Sequence, residues 1–404
     1  MSERVIPAPD PPRLVAATTD VLSQSESNTR RRKDRLLGGV VELAIAALGI
    51  ALMIIGVGAN RSWLDHHLLP SFLLARDWFV AIETVVRIAL AVAGASLVAH
   101  VRPPAGRLAR TAPGPALAVG IAVVLAVVAS EPVLRRIEFR PVGWLTPDDE
   151  PRRQEDARLG WTLVPSRVGH AMVGGRRVDY AIDANGYRVN RLEQPVDRTR
   201  PTILFTGESV MFGEGLAWDE SIPAQVAALT GVQSANLAVH GFGNDQAFLR
   251  LQQELPRFDR PVAVVSLFMP ALFGRNLDRQ RPHLGMDLVW QPAAQQWRVQ
   301  ALAGLMVPYR SQSTIDKGVQ LTRRIFTATV ELARASHAAP LVIVPQFGVE
   351  SEPEAELRQR ILSGLDVPVA VIPLDPAWRL PWDRHPDARA AHAIAVAIAS
   401  RISR

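Results

Sequence analysis

Two uncharged apolar runs near the start of the chain constrain its fold more than any other feature. Leu43–Asn60 and Thr111–Ser130 contain no charged side chain. The hydrocarbon core of a bilayer is roughly 30 Å thick, and a helix of about 20 residues crosses it. A helix inside a soluble domain is seldom apolar on all sides over such a length. Each run is therefore predicted to be a transmembrane helix.

A third apolar segment, Trp78–His100, carries two charges, Glu83 and Arg87. These residues are four apart, so they share one helix face and can neutralise each other within a membrane. The alternative is an amphipathic helix that lies in the membrane interface. We predict a third span and hence a transmembrane region over residues 36–135, with helices at about 38–60, 78–100 and 111–130.

The positions of the basic residues predict the orientation of these helices. Positive residues concentrate in cytoplasmic loops, and three spans place two basic groups there, Arg30–Arg35 and Arg102–Arg110. Residues 1–35 are then a cytoplasmic tail, which their polar composition predicts to be disordered. The chain after residue 135 would lie outside the cytoplasm of a bacterium. Two spans would place it inside, an arrangement that three arginines favour: Arg135, Arg136 and Arg140.

The remainder of the chain has the pattern of an α/β domain. Residues 139–198 contain a hairpin signal, Asn185-Gly186, and are predicted to form a small β-rich lead-in. From residue 199 to 404, apolar strands alternate with helices, which predicts a parallel sheet with helices on both faces. The strands are predicted at Thr202–Thr206, Ala235–Val239, Val262–Phe268, Leu341–Val344 and Val369–Pro373, and the helices at Ile222–Leu229, Gln246–Leu255, Val319–Ala335, Glu354–Leu362 and Ala388–Ile402.

The composition excludes several kinds of site. The chain has no cysteine, so disulfides, zinc–thiolate sites and a cysteine nucleophile are ruled out. The net charge of +6 is not organised into a basic stripe with interleaved aromatic residues, and no nucleic-acid partner is predicted. His66 and His67 are adjacent and lie near no carboxylate cluster, so we predict no metal site and no cofactor.

Two short motifs carry the chemistry. Gly207-Glu208-Ser209 ends the first predicted strand, and Asp383-Arg384-His385-Pro386 precedes the last helix. In a parallel sheet the ligand site lies beyond the carboxyl ends of the strands, where both motifs fall. A serine there can act as a nucleophile if a histidine, oriented by a carboxylate, takes its proton. The alternative is that Ser209 only caps a helix.

Over residues 200–404 the sequence resembles the SGNH (GDSL-type) hydrolases. The resemblance lies in Gly207–Gly215, Asn236–Gly241 and Asp383–Pro386, and Glu208 stands where the family usually has aspartate. It implies a three-layer α/β/α, flavodoxin-like domain. It also implies a triad of Ser209, His385 and Asp383, with the N–H groups of Ser209 and Gly241 in an oxyanion hole.

The third motif of the family, Gly-x-Asn-Asp after the central strand, is missing. Met269-Pro270-Ala271-Leu272 stands in that place, and Asn276 or Asn244 is the candidate for the absent donor. His240 is a candidate for lining the cleft, whereas His392 is predicted to be structural. Losing one oxyanion donor can lower a rate about a hundredfold or more.

The resemblance implies a serine hydrolase that acts on ester bonds through an acyl-enzyme. We expect a membrane-anchored esterase or deacylase whose partners are the lipid bilayer and a small-molecule or glycan ester. Two alternatives stay open: an O-acyltransferase that modifies a cell-envelope polysaccharide, and a non-catalytic scaffold of the same fold.

Overall fold

The computed structural model describes residues 12–58, 61–72, 75–136, 150–295, 297–298, 300, 309–381 and 383–402. The chain divides into two compact units. The first consists of residues 1–60 and 81–137, and the second of residues 61–80 and 138–404. The segment that connects the first two predicted spans therefore belongs to the second unit.

Long apolar helices build the first unit. In chain order the helices are α1 (Pro12–Gly58), α2 (Arg61–His67, in the second unit), α3 (Arg76–Ser96), α4 (Arg102–Thr111) and α5 (Pro113–Arg136), and a π-helical turn at Leu97–Val101 joins α3 to α4. Three stretches are long and apolar enough to cross a membrane: Arg32–Gly58, Arg76–Thr111 and Pro113–Arg136, with mean hydropathy 2.6, 1.8 and 2.3. They overlap the three predicted spans.

Glycines allow α1 and α3 to approach closely. A Cβ atom on Gly49 would lie 2.7 Å from the carbonyl oxygen of Gly94, and one on Gly94 would lie 2.4 Å from that of Gly49. Small residues at such a crossing are typical of helix pairs in lipid, where close packing stabilises the contact. Arg110 of α4 adds a 2.5 Å hydrogen bond to Glu42 of α1.

Helix α1 begins at Pro12, which differs from the predicted disordered tail of residues 1–35. Proline suits the first helical turn because an N–H group there has no helical partner. No glycine or proline interrupts residues 13–37, so the helix continues from the polar segment into the apolar one. Residues 1–11 of the predicted tail lie outside the described residues.

The second unit is organised around a mixed sheet of eight strands. In chain order the strands of this unit are β1 (Arg153–Asp156), β2 (Gly160–Leu163), β3 (Arg167–Val173), β4 (Arg176–Ile182), β5 (Arg188–Val189), β6 (Thr202–Thr206), β7 (Gln233–Asn236), β8 (Pro261–Leu267), β9 (His283–Leu284), β10 (Trp290–Gln291), β11 (Ala339–Phe347) and β12 (Val369–Leu374). The sheet order is β12-β11-β8-β6-β7-β5-β4-β3.

The five strands from β12 to β7 are parallel. Numbered by their order along the chain, they lie in the sequence 2-1-3-4-5, which is the flavodoxin-like arrangement. The structure thus confirms the predicted α/β class and parallel sheet. Strand β7 ends at Asn236, earlier than predicted, because the Asn236 side chain accepts a hydrogen bond from the N–H of Ala238 and the chain turns away.

Helices cover both faces of this sheet. They are α6 (Ser209–Phe212), α7 (Ile222–Thr230), α8 (Asn244–Glu254), α9 (Gln312–Ala335), α10 (Glu352–Leu362) and α11 (Ala388–Ile402). Alternate strand residues point to opposite faces. Ile203 of β6 lies in a cluster with Val226 of α7 and Ile394 of α11. Its neighbour Leu204 packs with Leu251 of α8 and Ala333 of α9. The unit therefore has three layers.

The β-rich lead-in continues the main sheet. Strands β3, β4 and β5 extend it in antiparallel fashion beyond β7, while β1 and β2 form a separate hairpin. Arg188 of β5 is fully buried and donates hydrogen bonds of 2.8, 2.6 and 2.5 Å to the carbonyls of Phe212, Gly213 and Leu216. The lead-in thereby supports the loop that follows α6. Residues 139–149 lie outside the described residues.

Candidate active site

The side chains of Ser209, His385 and Asp383 form a continuous chain of hydrogen bonds. Ser209 Oγ lies 2.8 Å from His385 Nε2, and His385 Nδ1 lies 2.5 Å from Asp383 Oδ1. These residues come from two loops 176 positions apart in the chain. The distances suit proton transfer from a hydroxyl to an imidazole whose second nitrogen is held by a carboxylate.

The turn after β6 places Ser209 at the start of helix α6. Glu208 is the N-cap, and its carboxylate accepts a hydrogen bond from the Val210 N–H at 3.0 Å. The carboxylate also lies 2.9 Å from Ser209 Oγ, so the single hydroxyl hydrogen is donated either to Glu208 or to His385 Nε2. Ser209 therefore does not cap this helix with its own side chain. Ser209 is 2% exposed, so bulk water has little access to its hydroxyl.

The loop before α11 orients the histidine. The Asp383 carboxylate accepts hydrogen bonds from both the backbone N–H of His385, at 2.8 Å, and its ring. The Leu380 N–H donates to the His385 carbonyl at 2.9 Å, and the Asp383 N–H donates to the Leu380 carbonyl at 3.2 Å. The loop is thus closed on itself, which fixes the histidine ring relative to the serine.

The charges around the histidine favour its protonated form. Burial alone would lower the pKa of His385, but the hydrogen bond that its ring donates to Asp383 and the charges of Glu214 and Asp383 outweigh burial, and the pKa is raised. Burial would raise the pKa of Asp383, whereas its bonds to His385 dominate and lower it. A carboxylate and an imidazolium that stabilise each other are what a general base needs after it has accepted a proton.

The structure adds a carboxylate, Glu214, that the motif analysis did not single out. Its Oε2 lies 3.7 Å from His385 Nε2 and 3.8 Å from His240 Nδ1. Burial raises the pKa of Glu214, and burial lowers the pKa of His240 to about 3. Because His240 is neutral, it carries no charge that would pair with Glu214, whereas the charge of Glu214 helps to raise the pKa of His385. In the sequence, only the position of this glutamate within Gly213-Glu214-Gly215 could have indicated its place near the site.

Replacing Glu214 with glutamine should move the acidic limb of the pH–activity profile to lower pH. His385 acts as a base only when it is neutral, so activity is lost as the pH falls through its raised pKa. Removing the negative charge of Glu214 lowers that pKa. The measurement is kcat/KM against pH. Glu356→Gln, which removes a surface carboxylate paired with Arg360, is the matched control, and an unchanged limb in Glu214→Gln would contradict the assignment.

The predicted backbone donors of the oxyanion hole remain available. In the described part of the chain, neither the Ser209 N–H nor the Gly241 N–H donates to a protein acceptor. Gly241 has φ 82°, and a Cβ atom there would lie 3.2 Å from Trp161 Cζ2, so the turn requires glycine. The Trp161 ring of β2 donates from Nε1 to the His240 carbonyl at 3.1 Å and holds this turn.

Asn276 lies in a different hydrogen-bond network. Its Nδ2 donates to Asn244 Oδ1 and to Thr322 Oγ1, both at 2.9 Å, and its Oδ1 accepts from the Asn244 N–H. Both side-chain hydrogens are therefore used, which leaves none for an oxyanion. Asn244 Nδ2 donates to the carbonyl of Leu267. The sequence indicated Asn276 as a candidate donor after the central strand but could not reveal its hydrogen-bond partners.

Two further side chains approach the triad. Arg275 Nη1 lies 3.9 Å from Glu208 Oε2 and 3.2 Å from the Phe242 carbonyl. Phe72 belongs to the segment between α2 and α3, and its ring centroid lies 5.0 Å from that of His385 in an edge contact. An apolar ring beside the base shields it from water. Neither residue belongs to a recognisable motif.

The other histidines lie apart from this chemistry. His392 Nδ1 is 2.6 Å from Gln225 Oε1, and the His67 ring stacks on Trp63 at 4.0 Å. Across the described ranges, no three side chains of the metal-ligating types come together in a cluster.

No protein-family model matches the chain, and no curated protein matches it. It is similar to a number of solved structures, among them the following three. A carbohydrate esterase is 12% identical over 52% of this chain and 67% of its own, with a TM-score of 0.34. A lipolytic protein of the G-D-S-L family from Desulfitobacterium hafniense DCB-2 is 13% identical over 50% and 98%, with a TM-score of 0.33. An acetyl xylan esterase from the rumen bacterium Butyrivibrio proteoclasticus is 12% identical over 52% and 65%, with a TM-score of 0.31. These TM-scores are low, and the fold and the site are defined by the chain's own sheet order and hydrogen bonds.

Proposed function

We propose that this chain, which has the fold and motif order of the SGNH hydrolase superfamily, is a membrane-anchored serine ester hydrolase. One observation carries the proposal. The hydroxyl of Ser209, the imidazole of His385 and the carboxylate of Asp383 are linked by hydrogen bonds of 2.8 and 2.5 Å. They lie at the carboxyl edge of a parallel sheet, where such folds bind their substrates.

The proposed reaction is acyl transfer in two halves. Ser209 Oγ attacks the ester carbonyl carbon while His385 Nε2 takes the hydroxyl proton, and Asp383 stabilises the imidazolium. The N–H groups of Ser209 and Gly241 hold the oxyanion. The tetrahedral intermediate collapses, the C–O bond to the alcohol breaks, and His385 returns the proton to the leaving oxygen. Water then attacks the acyl-enzyme by the same route and releases the acid.

The test combines turnover with covalent labelling of the full chain in detergent. We expect hydrolysis of a short-chain chromogenic ester and labelling by a fluorophosphonate, with the adduct found by mass spectrometry on the peptide that contains Ser209. Ser400 is an exposed serine on α11, and Ser400→Ala should label like the parent. A folded protein that shows neither hydrolysis nor labelling, or an adduct on another serine, would overturn the proposal.

A second candidate reaction is transfer of the acyl group to a hydroxyl of an envelope glycan. The burial of Ser209 and the Phe72 ring beside His385 favour it, since a site that excludes bulk water protects an acyl-enzyme from hydrolysis. Adding a polyol or oligosaccharide acceptor to the ester assay separates the two reactions. Acylated acceptor formed at the expense of free acid would favour transfer, and an unchanged yield of acid would favour hydrolysis.

The same proposal places the second unit outside the cytoplasm. Its basis is that three apolar helices reverse the side of the membrane between the Arg30–Arg35 cluster and residue 138. An alkaline phosphatase fused after residue 404 should be active, because that reporter folds only outside the cytoplasm, and a green fluorescent protein fused there through the Sec route should be dark. The opposite pattern would assign two spans.

A further inference from the structure

A cavity of about 210 Å³ adjoins the catalytic histidine. Phe72 and Arg384 both contribute to its lining. Phe72 contacts the His385 ring, and Arg384 directly precedes His385 in the chain. A group bound in this cavity would therefore lie next to the base that serves Ser209. The cavity is too small for a long chain and suits a compact group.

Three of the five charged side chains around this cavity already have partners. Arg76 donates to Asp65 at 2.9 Å and to the Leu68 carbonyl at 2.7 Å. Glu350 accepts two hydrogen bonds from Arg358, at 2.8 and 2.7 Å. Glu354 accepts hydrogen bonds from the N–H and the hydroxyl of Ser351, which is the N-cap of α10. The remaining charges are two arginines, Arg379 and Arg384.

These two arginines lie close together in the lining of the cavity. The Arg379 side chain donates to the carbonyl of Arg384 and stacks over the Phe347 ring at 3.8 Å. Burial, with the nearby charge of Arg384, lowers the pKa of Arg379 to about 10. The Nε atom of Arg384 is buried and unpaired. The charge of Glu354 offsets part of the effect on Arg379, but the hydrogen bonds of Glu354 are made with Ser351.

Two like charges that are partly withdrawn from water repel each other unless an anion joins them. A guanidinium presents a planar fork of donors that matches a phosphate or carboxylate group. From this we infer that Arg379 and Arg384 form a subsite for an anionic group, a phosphate or a carboxylate, on the ester substrate. The inference rests on the proposed function, since it names the substrate class of the same site.

The test compares matched pairs of esters with the full chain. One pair is mono-4-nitrophenyl glutarate and its methyl ester, which places the charge on the acyl side. The other is the acetate of 4-hydroxyphenyl phosphate and the acetate of 4-methoxyphenol, which places it on the alcohol side. We expect kcat/KM for the anionic member of at least one pair to exceed that of its neutral twin about tenfold.

Arg379→Gln and Arg384→Gln should each reduce this ratio about tenfold, and Arg384→Lys should restore part of it. Arg401→Gln removes an exposed arginine of α11 and should leave the ratio unchanged. Because the readout is a ratio, a general loss of activity in a variant does not affect it. Equal rates within both pairs for the parent, or an unchanged ratio in both glutamine variants, would overturn the inference, whereas failure to hydrolyse any of the four esters would overturn the proposed function instead.

Inhibition distinguishes the two sources of such an anion. Glycerol phosphate and nanodiscs containing phosphatidylglycerol are each tested against hydrolysis of the neutral ester, with glycerol and phosphatidylcholine nanodiscs as controls. Inhibition by the lipid alone assigns the subsite to a lipid headgroup, and inhibition by both assigns it to soluble phosphates as well. Inhibition by neither contradicts the inference.

Discussion

Ser209→Ala should lower kcat/KM for a short-chain ester by roughly 10³- to 10⁶-fold. The hydroxyl is the only group within hydrogen-bonding distance of His385 Nε2, at 2.8 Å, among the described hydrogen bonds. Without it no acyl-enzyme can form, and the remaining rate comes from the oxyanion donors and substrate binding alone.

The fold should survive this change. Glu208 keeps its bond from the Val210 N–H, so helix α6 remains capped when the serine hydroxyl is removed. Circular dichroism and the thermal midpoint of the variant check this point, and Ser400→Ala provides the matched control. Activity within tenfold of the parent would show that Ser209 is not the nucleophile.

Asp383→Asn should lower kcat/KM by roughly 10³- to 10⁴-fold. The carboxylate accepts a hydrogen bond from the N–H of His385 Nδ1 at 2.5 Å, which leaves Nε2 free to accept the serine proton. An asparagine amide can donate to Nδ1 instead and select the tautomer in which Nε2 carries the hydrogen. The loss of the negative charge also removes part of what raises the pKa of His385.

The pH dependence separates this role from a structural one. In Asp383→Asn the acidic limb of kcat/KM should move to lower pH, because His385 loses a stabilising charge and stays neutral further into the acid range. Asp366→Asn removes an exposed carboxylate that pairs with Arg334 and should change neither rate nor limb. A loss in Asp383→Asn that is smaller than tenfold would contradict the assigned role.

Much of the fold could be predicted because its signals are local. The strands β6, β8, β11 and β12 follow short apolar runs, and α11 spans the predicted residues Ala388–Ile402. Buried strands of a parallel sheet are apolar on both faces, and in helices the apolar residues recur every three to four positions. The end of β7 was predicted too late in the chain, because a hydrogen bond from the Ala238 N–H to the Asn236 side chain ends the strand. The pattern of apolar residues does not reveal such a bond.

The lead-in illustrates what pattern analysis could not show. Residues 139–198 were predicted to be β-rich, but only the structure joins β3, β4 and β5 to the main sheet. Arg188 is fully buried against the carbonyls of the loop after α6. From sequence, an arginine beside a hairpin signal is expected to be exposed. Its buried partners become known only when the sheet is assembled.

The sequence by itself predicted the three apolar helices, the α/β class, and the residues Ser209, His385 and Asp383 that the structure joins by hydrogen bonds. These features could be predicted because each depends on residues that are close together in the chain. They are the length of an apolar run, the alternation of apolar strands with helices, and the residue types within two short motifs. The tertiary structure alone decided that Glu214 and Phe72 flank His385, that Asn276 makes its hydrogen bonds elsewhere, and that Arg379 and Arg384 line one cavity beside His385. Each of these facts depends on contacts between residues that are distant in the chain, or on how a loop closes. The distance between two such side chains and the burial of each cannot be obtained from a local sequence pattern.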